Sequence, residues 1–233
     1  MILIPIKDFA TAKQRLAEVL SEAQRSELAR AMFADVLAVL TSVPERPAIA
    51  VVTRDAEALA MAHRSGCQAI HDRENAGETE AIVAATEVAM ARGAQFTLVI
   101  PGDAPLVKTE EISLLLSSAP SEGSVLAPAA DGEGTNAVLR RPGALFPLRF
   151  GNHSFAPHLR AAHATGKAVV VLRLPGLALD IDRPADLATL AAAPGNTRAQ
   201  QLVREWKVAE RVGKPAGGIT PEPSPATAPV EPR

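Results

Sequence analysis

Phe96-Thr97-Leu98-Val99-Ile100-Pro101-Gly102-Asp103 decides the fold. The run from Phe96 to Ile100 is nearly all apolar and β-prone, too short for a packed helix, and reads as a strand covered on both faces. Proline and glycine then stop it at once, so the chain turns and leaves Asp103 just past the strand's carboxyl end.

Similar runs lie on either side. Residues 2–6 and 49–52 read as strands, separated by a helix that a Ser21/Gln24 capping box opens and in which Leu28, Met32, Val36 and Leu40 recur every four residues. A weaker helix stops near Gly66, a left-handed cap, and another covers 78–92 before Gly93. Beyond Asp103, residues 124–127 and 137–139 are short strands around Asp131-Gly132-Glu133-Gly134. Residues 154–163 read as a helix, 168–172 and 177–181 as strands, and Asp182-Arg183-Pro184 as the entry to a final helix. Strands alternating with helices predict an α/β fold, a mostly parallel sheet with flanking helices. A 47% hydrophobic chain of 233 residues can bury one large core, assigned to residues 1–210. From Gly213 the chain is dominated by proline, glycine, alanine and threonine, and a tail over 211–233 is expected to be disordered.

Composition removes several function classes. With 24 basic and 26 acidic residues and a net charge of -2, no overall field gathers nucleic acid or an anionic membrane, so any anion site is local. Cys67 is the only cysteine, which excludes an internal disulfide and a cysteine-based zinc cluster and suits a reducing cytoplasm. No segment has the length of a signal peptide's apolar core or a membrane span. The histidines lack HExxH spacing, no Gly-x-Ser-x-Gly elbow appears, and the loop after the first strand lacks the glycines of a P-loop. No feature of the sequence fixes the oligomeric state, and a homodimer stays open.

In open parallel sheets ligands bind outside the carboxyl ends of the strands. Asp103, Asp180 and Asp182 fall there, and three carboxylates at one edge would suit Mg²⁺, which takes a few carboxylates, some waters and phosphate oxygens. The plain alternatives are a turn residue for Asp103 and a helix cap for Asp182. Lys7, Lys13 and Arg15 share the loop after the first strand, where a triphosphate can lie across them. Gly132 to Ala137 has a dinucleotide-like spacing, but Pro142 follows too soon for the required helix. What remains is a loop that can offer Thr135 and backbone donors to a phosphate. Gly151 and Ser154 at a helix start form a second anion-attracting place, with Ser154 as a simple N-cap the plain reading. His153 and His158 flank this loop and are placed to titrate with it.

Read together, Ile4-Pro5-Ile6-Lys7, Ala12-Lys13-Gln14-Arg15-Leu16, Pro101-Gly102-Asp103-Ala104-Pro105-Leu106, Gly134-Thr135-Asn136-Ala137, Gly151-Asn152-His153-Ser154-Phe155 with His158, and Leu179-Asp180-Ile181-Asp182-Arg183-Pro184 closely resemble the CofC/FbiD guanylyltransferases. That family activates 2-phospho-L-lactate, phosphoenolpyruvate or 3-phospho-D-glycerate with GTP in the biosynthesis of coenzyme F-420. The resemblance implies a nucleotidyltransferase fold of the GT-A or molybdopterin-guanylyltransferase kind, of Rossmann type. It further implies Asp103, Asp180 and Asp182 around Mg²⁺, and Thr135, Gly151 and Ser154 on the acceptor's phosphate. Lys7, Lys13 and Arg15 would face the GTP phosphates, with Gly77 and Thr79 also against the nucleotide. Where the family usually shows Gly-Leu-Asn at the third helix, this chain has Gly77-Glu78-Thr79, which tilts the expected acceptor toward 3-phospho-D-glycerate. A nucleotidyltransferase for a sugar phosphate or a pterin, and a non-catalytic nucleotide-binding module, are the competing readings.

Overall fold

The structure is a computed structural model and describes residues 1–72 and 77–212. One seven-stranded sheet runs in the order β3-β2-β1-β4-β6-β5-β7, from β1 (Ile2–Pro5), β2 (Ile49–Thr53), β3 (Gln68–His71), β4 (Thr97–Val99), β5 (Gly123–Pro128), β6 (Thr135–Arg141) and β7 (Ala168–Val171). Every pairing is parallel except those that β6 makes with β4 and β5. The helices are α1 (Glu22–Ser42), α2 (Ala56–Arg64), α3 (Glu78–Ala91), α4 (Thr109–Ser117), α5 (Phe155–Ala164), α6 (Pro175–Ala178), α7 (Pro184–Ala192), α8 (Arg198–Glu205) and α9 (Val208–Val212). None of the described helices is long and apolar enough to cross a membrane.

Alternate strand residues feed two cores. Ile2, Ile4, Val51 and Leu98 pack with Phe33 and Leu40 of α1 on one face. Leu3, Val52 and Val99 pack with Ile82 and Ala85 of α3 on the other. Each large aliphatic side chain buried this way contributes about 1.5–3 kcal/mol, which is why the strand runs are apolar throughout. A third cluster joins Leu16 and Met32 to Leu187, Leu190 and Val203, fastening the last helices to α1.

Two features of the topology place the site. The chain lays β2 and β3 to one side of β1 and then crosses to add β4 on the other, so a switch point opens between β1 and β4. Because β6 is antiparallel to β4, its first residue, Thr135, arrives at the edge where β1 and β4 end.

Residues 177–181 are not a strand. Pro175 starts the short helix α6, and the chain then passes beside β6, held by Asn136 Nδ2, which donates to the carbonyls of Leu177 and Ala178 (both 3.0 Å). A side-chain amide here takes the place of a backbone ladder. Strand β3 and helices α4, α8 and α9 are additional to the elements read from the sequence. The edge strand β3 buries only Ile70 of its four residues, so it carries no apolar run. Arg211 and Val212, assigned above to the tail, belong to α9, and the rest of that tail, 213–233, lies outside the described residues.

Candidate active site

A cleft of about 720 Å³ opens at the switch point, lined by Lys7, Lys13, Arg15, Gly77, Asp103, Thr135, Gly151, Ser154, Asp180 and Asp182. Of the residues assigned above to metal, nucleotide or acceptor, Thr79 does not line the cleft. Its Oγ1 accepts from the backbone N–H of Phe150 at 2.9 Å, bracing the segment that leads to Gly151.

The Pro-Gly-Asp turn after β4 packs tightly on the end of β1: a Cβ on Gly102 would lie 2.1 Å from Cδ1 of Ile6, whose side chain would have to move aside. That close approach brings the β1 and β4 loops together. The Asp103 carbonyl accepts from the N–H of Ile181 at 3.2 Å, which draws Asp180 and Asp182 to Asp103 without a shared strand pairing. Lys13, in a left-handed backbone conformation (φ 55°), inserts its ammonium between Asp103 Oδ2 at 2.5 Å and Asp182 Oδ1 at 2.9 Å. Burial by itself would depress the Lys13 pKa, but the two carboxylates outweigh it and hold the ammonium protonated well above its ordinary range. Arg15 Nη1 reaches Asp182 Oδ2 at 3.4 Å from a more exposed position.

The acidic groups respond differently. Burial opposes the charge on Asp182, yet Lys13 and then Arg15 keep its pKa below the usual carboxylate range. Burial pushes the Asp180 pKa up; the hydrogen bond from Asn136 Nδ2 at 3.0 Å relieves this in part, and the charges of Asp103 and Asp182 add to it. Asp182 is not the helix cap: Asp186 Oδ2 accepts the N–H groups of Asp182 and Arg183 at 3.0 and 2.7 Å, leaving the Asp182 carboxylate for the cleft. Among the described residues no three carboxylates close around a ready-made cation cage, because Lys13 stands between two of them. The donor set nevertheless fits Mg²⁺, which needs only one or two carboxylates besides water and phosphate oxygens. Repulsion among Asp103, Asp180 and Asp182 is what such a cation would relieve.

Glu78 is a further acid in the cleft, missed by position-by-position reasoning because the resemblance supplies an apolar residue there. Burial raises its pKa, while Lys7, 3.7 Å away, pulls it down. Lys7 itself is 78% exposed and stands at the mouth.

The opposite wall is formed by Thr135 and Ser154, with His158 buried behind Thr135. Ser154 does not cap α5: its Oγ donates to Thr135 Oγ1 at 3.2 Å. Gly151 has φ 119°, a backbone form that favours glycine, and the turn it makes lets the chain reach Ser154. The glycine-rich loop does not offer its backbone donors to a ligand as expected. The N–H groups of Glu133 and Gly134 both point at Asp131 Oδ1, at 2.8 and 3.0 Å. His158 is buried and neutral rather than titrating near pH 7, its pKa lowered to about 4 by burial and by the nearby Arg140 charge.

Residues 1–215 match the family described as guanylyl transferase CofC like. The chain belongs to this family. Its relatives include a phosphoenolpyruvate guanylyltransferase of Roseiflexus castenholzii, 36% identical, the match covering 88% of this chain and 93% of that protein. A 2-phospho-L-lactate guanylyltransferase of Methanothermobacter thermautotrophicus is 33% identical over 88% of this chain and 90% of its own length. A 3-phospho-D-glycerate guanylyltransferase of Phenylobacterium zucineum is 30% identical over 88% and 95%. Among solved structures, a nucleotidyl transferase from Methanothermobacter superposes with a TM-score of 0.59 at 18% identity, covering 88% of this chain and 99% of that one, a likeness of fold alone. The sheet of this CofC-like chain is thus the nucleotidyltransferase Rossmann-like fold.

Proposed function

We propose that the protein transfers the guanylyl group of GTP to the phosphate of a small phosphorylated three-carbon acid, in the cytoplasm and with Mg²⁺. The observation that carries this reading is the Lys13 bridge between Asp103 and Asp182, facing the hydroxyls of Thr135 and Ser154 across one cleft. A carboxylate-held cationic centre opposite hydroxyl donors is what two phosphates need in order to meet. The family and its named relatives support the same chemistry.

An oxygen of the acceptor's phosphate attacks the α-phosphorus of GTP, forming a new P–O–P bridge as the bond to the β-phosphate oxygen breaks and pyrophosphate leaves. The attacking phosphate is already ionised near neutral pH, so no protein base or nucleophile is required. Two like unit charges ~4 Å apart repel by about 4 kcal/mol at an effective dielectric of 20, and overcoming this is the main task of the site. Asp103, Asp180 and Asp182 would hold magnesium, which when bound neutralises phosphate charge. Lys7, Lys13 and Arg15 add positive charge on the nucleotide side, and Thr135 and Ser154 orient the acceptor, so that the reacting atoms are aligned before reaction.

Incubating the purified protein with GTP, Mg²⁺ and each of the three acids separately, then weighing the products, tests the reading. One acid is expected to yield a guanylyl conjugate and stoichiometric pyrophosphate; release from none would end it. Asp103→Asn is expected to lower turnover at least 100-fold in a folded protein. Undiminished turnover would remove Asp103 from the mechanism.

A further inference from the structure

The acceptor wall contains a hydrogen-bond chain whose direction is fixed from one end. The backbone N–H of Arg149 donates to Nε2 of His158 at 2.9 Å. An amide nitrogen cannot reverse that bond, so Nε2 must keep its lone pair and the ring proton of the neutral imidazole sits on Nδ1. Nδ1 lies 3.0 Å from Thr135 Oγ1 and therefore donates to it. Ser154 Oγ donates to the same oxygen at 3.2 Å. A hydroxyl has one proton and two acceptor directions. With both directions filled, the Thr135 proton has to leave toward something else, and Thr135 lines the cleft.

We propose that His158 is a positioning residue that makes Thr135 an obligate hydrogen-bond donor to the acceptor's phosphate. The inference rests on the acceptor wall assigned under the proposed function and adds to it the element that sets the polarity of that wall. The surroundings of His158 brace its ring. Phe150 packs its ring edge-on at 5.2 Å between centroids, and Thr79 holds the Phe150 backbone in turn. The Arg140 guanidinium, buried nearby, disfavours a second positive charge on the imidazole. A single-tautomer histidine thus supplies direction: it fills the acceptor position of Thr135 that Ser154 leaves open, and without it the hydroxyl can rotate and turn that unfilled lone pair toward the phosphate, which repels it.

Two measurements test this on the full chain. Nitrogen-15 NMR of the histidine-labelled wild-type protein at pH 7, with His158 assigned by its loss in His158→Asn, is expected to show a protonated Nδ1 and a bare Nε2. Protonation at Nε2 instead, or an imidazolium, overturns the proposal, and this readout needs no turnover and no variant beyond the assignment. In steady-state kinetics with the acid that is guanylylated, His158→Leu is expected to raise KM for the acid about tenfold and leave KM for GTP within twofold. His158→Asn, which retains an N–H near Nδ1, is expected to recover most of that loss. In a Thr135→Val background the His158→Leu effect is expected to vanish. Equal rises in both KM values, no rescue by Asn, or full additivity with Thr135→Val would each overturn it. If no acid is turned over, the functional reading fails; inorganic phosphate then replaces the acid. Phosphate-dependent shifts of the His158 resonances, lost in Thr135→Val, are then expected, and their absence overturns the positioning role separately.

Discussion

His158 also links the site to acid stability. Its folded pKa of about 4 lies below the ordinary 6.5, so the unfolded chain binds a proton that the folded protein refuses between those values. For such a group stability is full above about pH 6.5, falls as pH drops through the window, and reaches its full loss below about pH 4. Allowing for solvent screening, the loss is on the order of 2 kcal/mol. Urea unfolding at pH 7 and at pH 4.5 measures it: the wild type is expected to lose more stability between the two than His158→Asn does, and equal losses would place His158 outside the acid response. At Lys13 the same scale gives a different outcome. Lys13→Met leaves Asp103 and Asp182 facing each other without their shared ammonium, in a partly buried setting where an uncompensated charge costs several kcal/mol. The variant is expected to melt below the wild type and to recover part of the difference on adding Mg²⁺. A melting temperature indifferent to the ion would mean that the carboxylates do not share a cation.

Asp35 of α1 shows what long-range order adds to an element. Its buried carboxylate accepts the N–H groups of Arg198 at 3.1 Å and Ala199 at 2.9 Å, so the first turn of α8 is satisfied by a residue far away in sequence. Asp35→Ala removes those acceptors and leaves helix-start donors unpaired, an expected cost of about 2–3 kcal/mol. A lower urea midpoint at unchanged m is the signature; an unchanged midpoint would show that α8 docks through apolar contacts alone. The capping box of α1, the apolar β1, β2 and β4, the left-handed Gly66 and the helix stop at Gly93 were legible because each depends on neighbours within a few residues. Asp35 was not legible, nor was the replacement of a strand over 177–181 by the end of α6 and an irregular passage, since a buried carboxylate or an amide supplied from elsewhere leaves no local pattern. The site divides the same way. Asp103 and Lys7 follow from the rule about strand ends, whereas the roles of Asn136, Glu78 and His158 depend on which side chains the fold brings within 3–4 Å. Ser154 lines the cleft, although a local rule made it a cap, and its hydroxyl serves a neighbour instead.

For the whole molecule, the cleft lies where the sheet changes direction, so its two walls hang on different strands: the cationic loop and Asp103 on β1 and β4, the hydroxyls on β6 and the start of α5. A ligand that bridges them binds only the folded chain. Binding at 100 times Kd then stabilises the protein by about 2.7 kcal/mol, which for a chain of this size corresponds to a rise in melting temperature of roughly 5–10 °C. If Lys7, Lys13 and Arg15 face the nucleotide as proposed, GTP with EDTA is expected to give part of the rise, and GTP with Mg²⁺ a larger one. The increment due to Mg²⁺ is expected to depend on Asp103 and Asp182, the carboxylates that Lys13 bridges. In Asp182→Asn that increment is expected to shrink while the GTP-only rise stays or grows, because Lys13 and Arg15 keep their charges and lose an anionic competitor. An increment of full size in a folded Asp182→Asn, Asp103→Asn double variant would mean that the metal stabilises GTP in solution and has no seat between these loops.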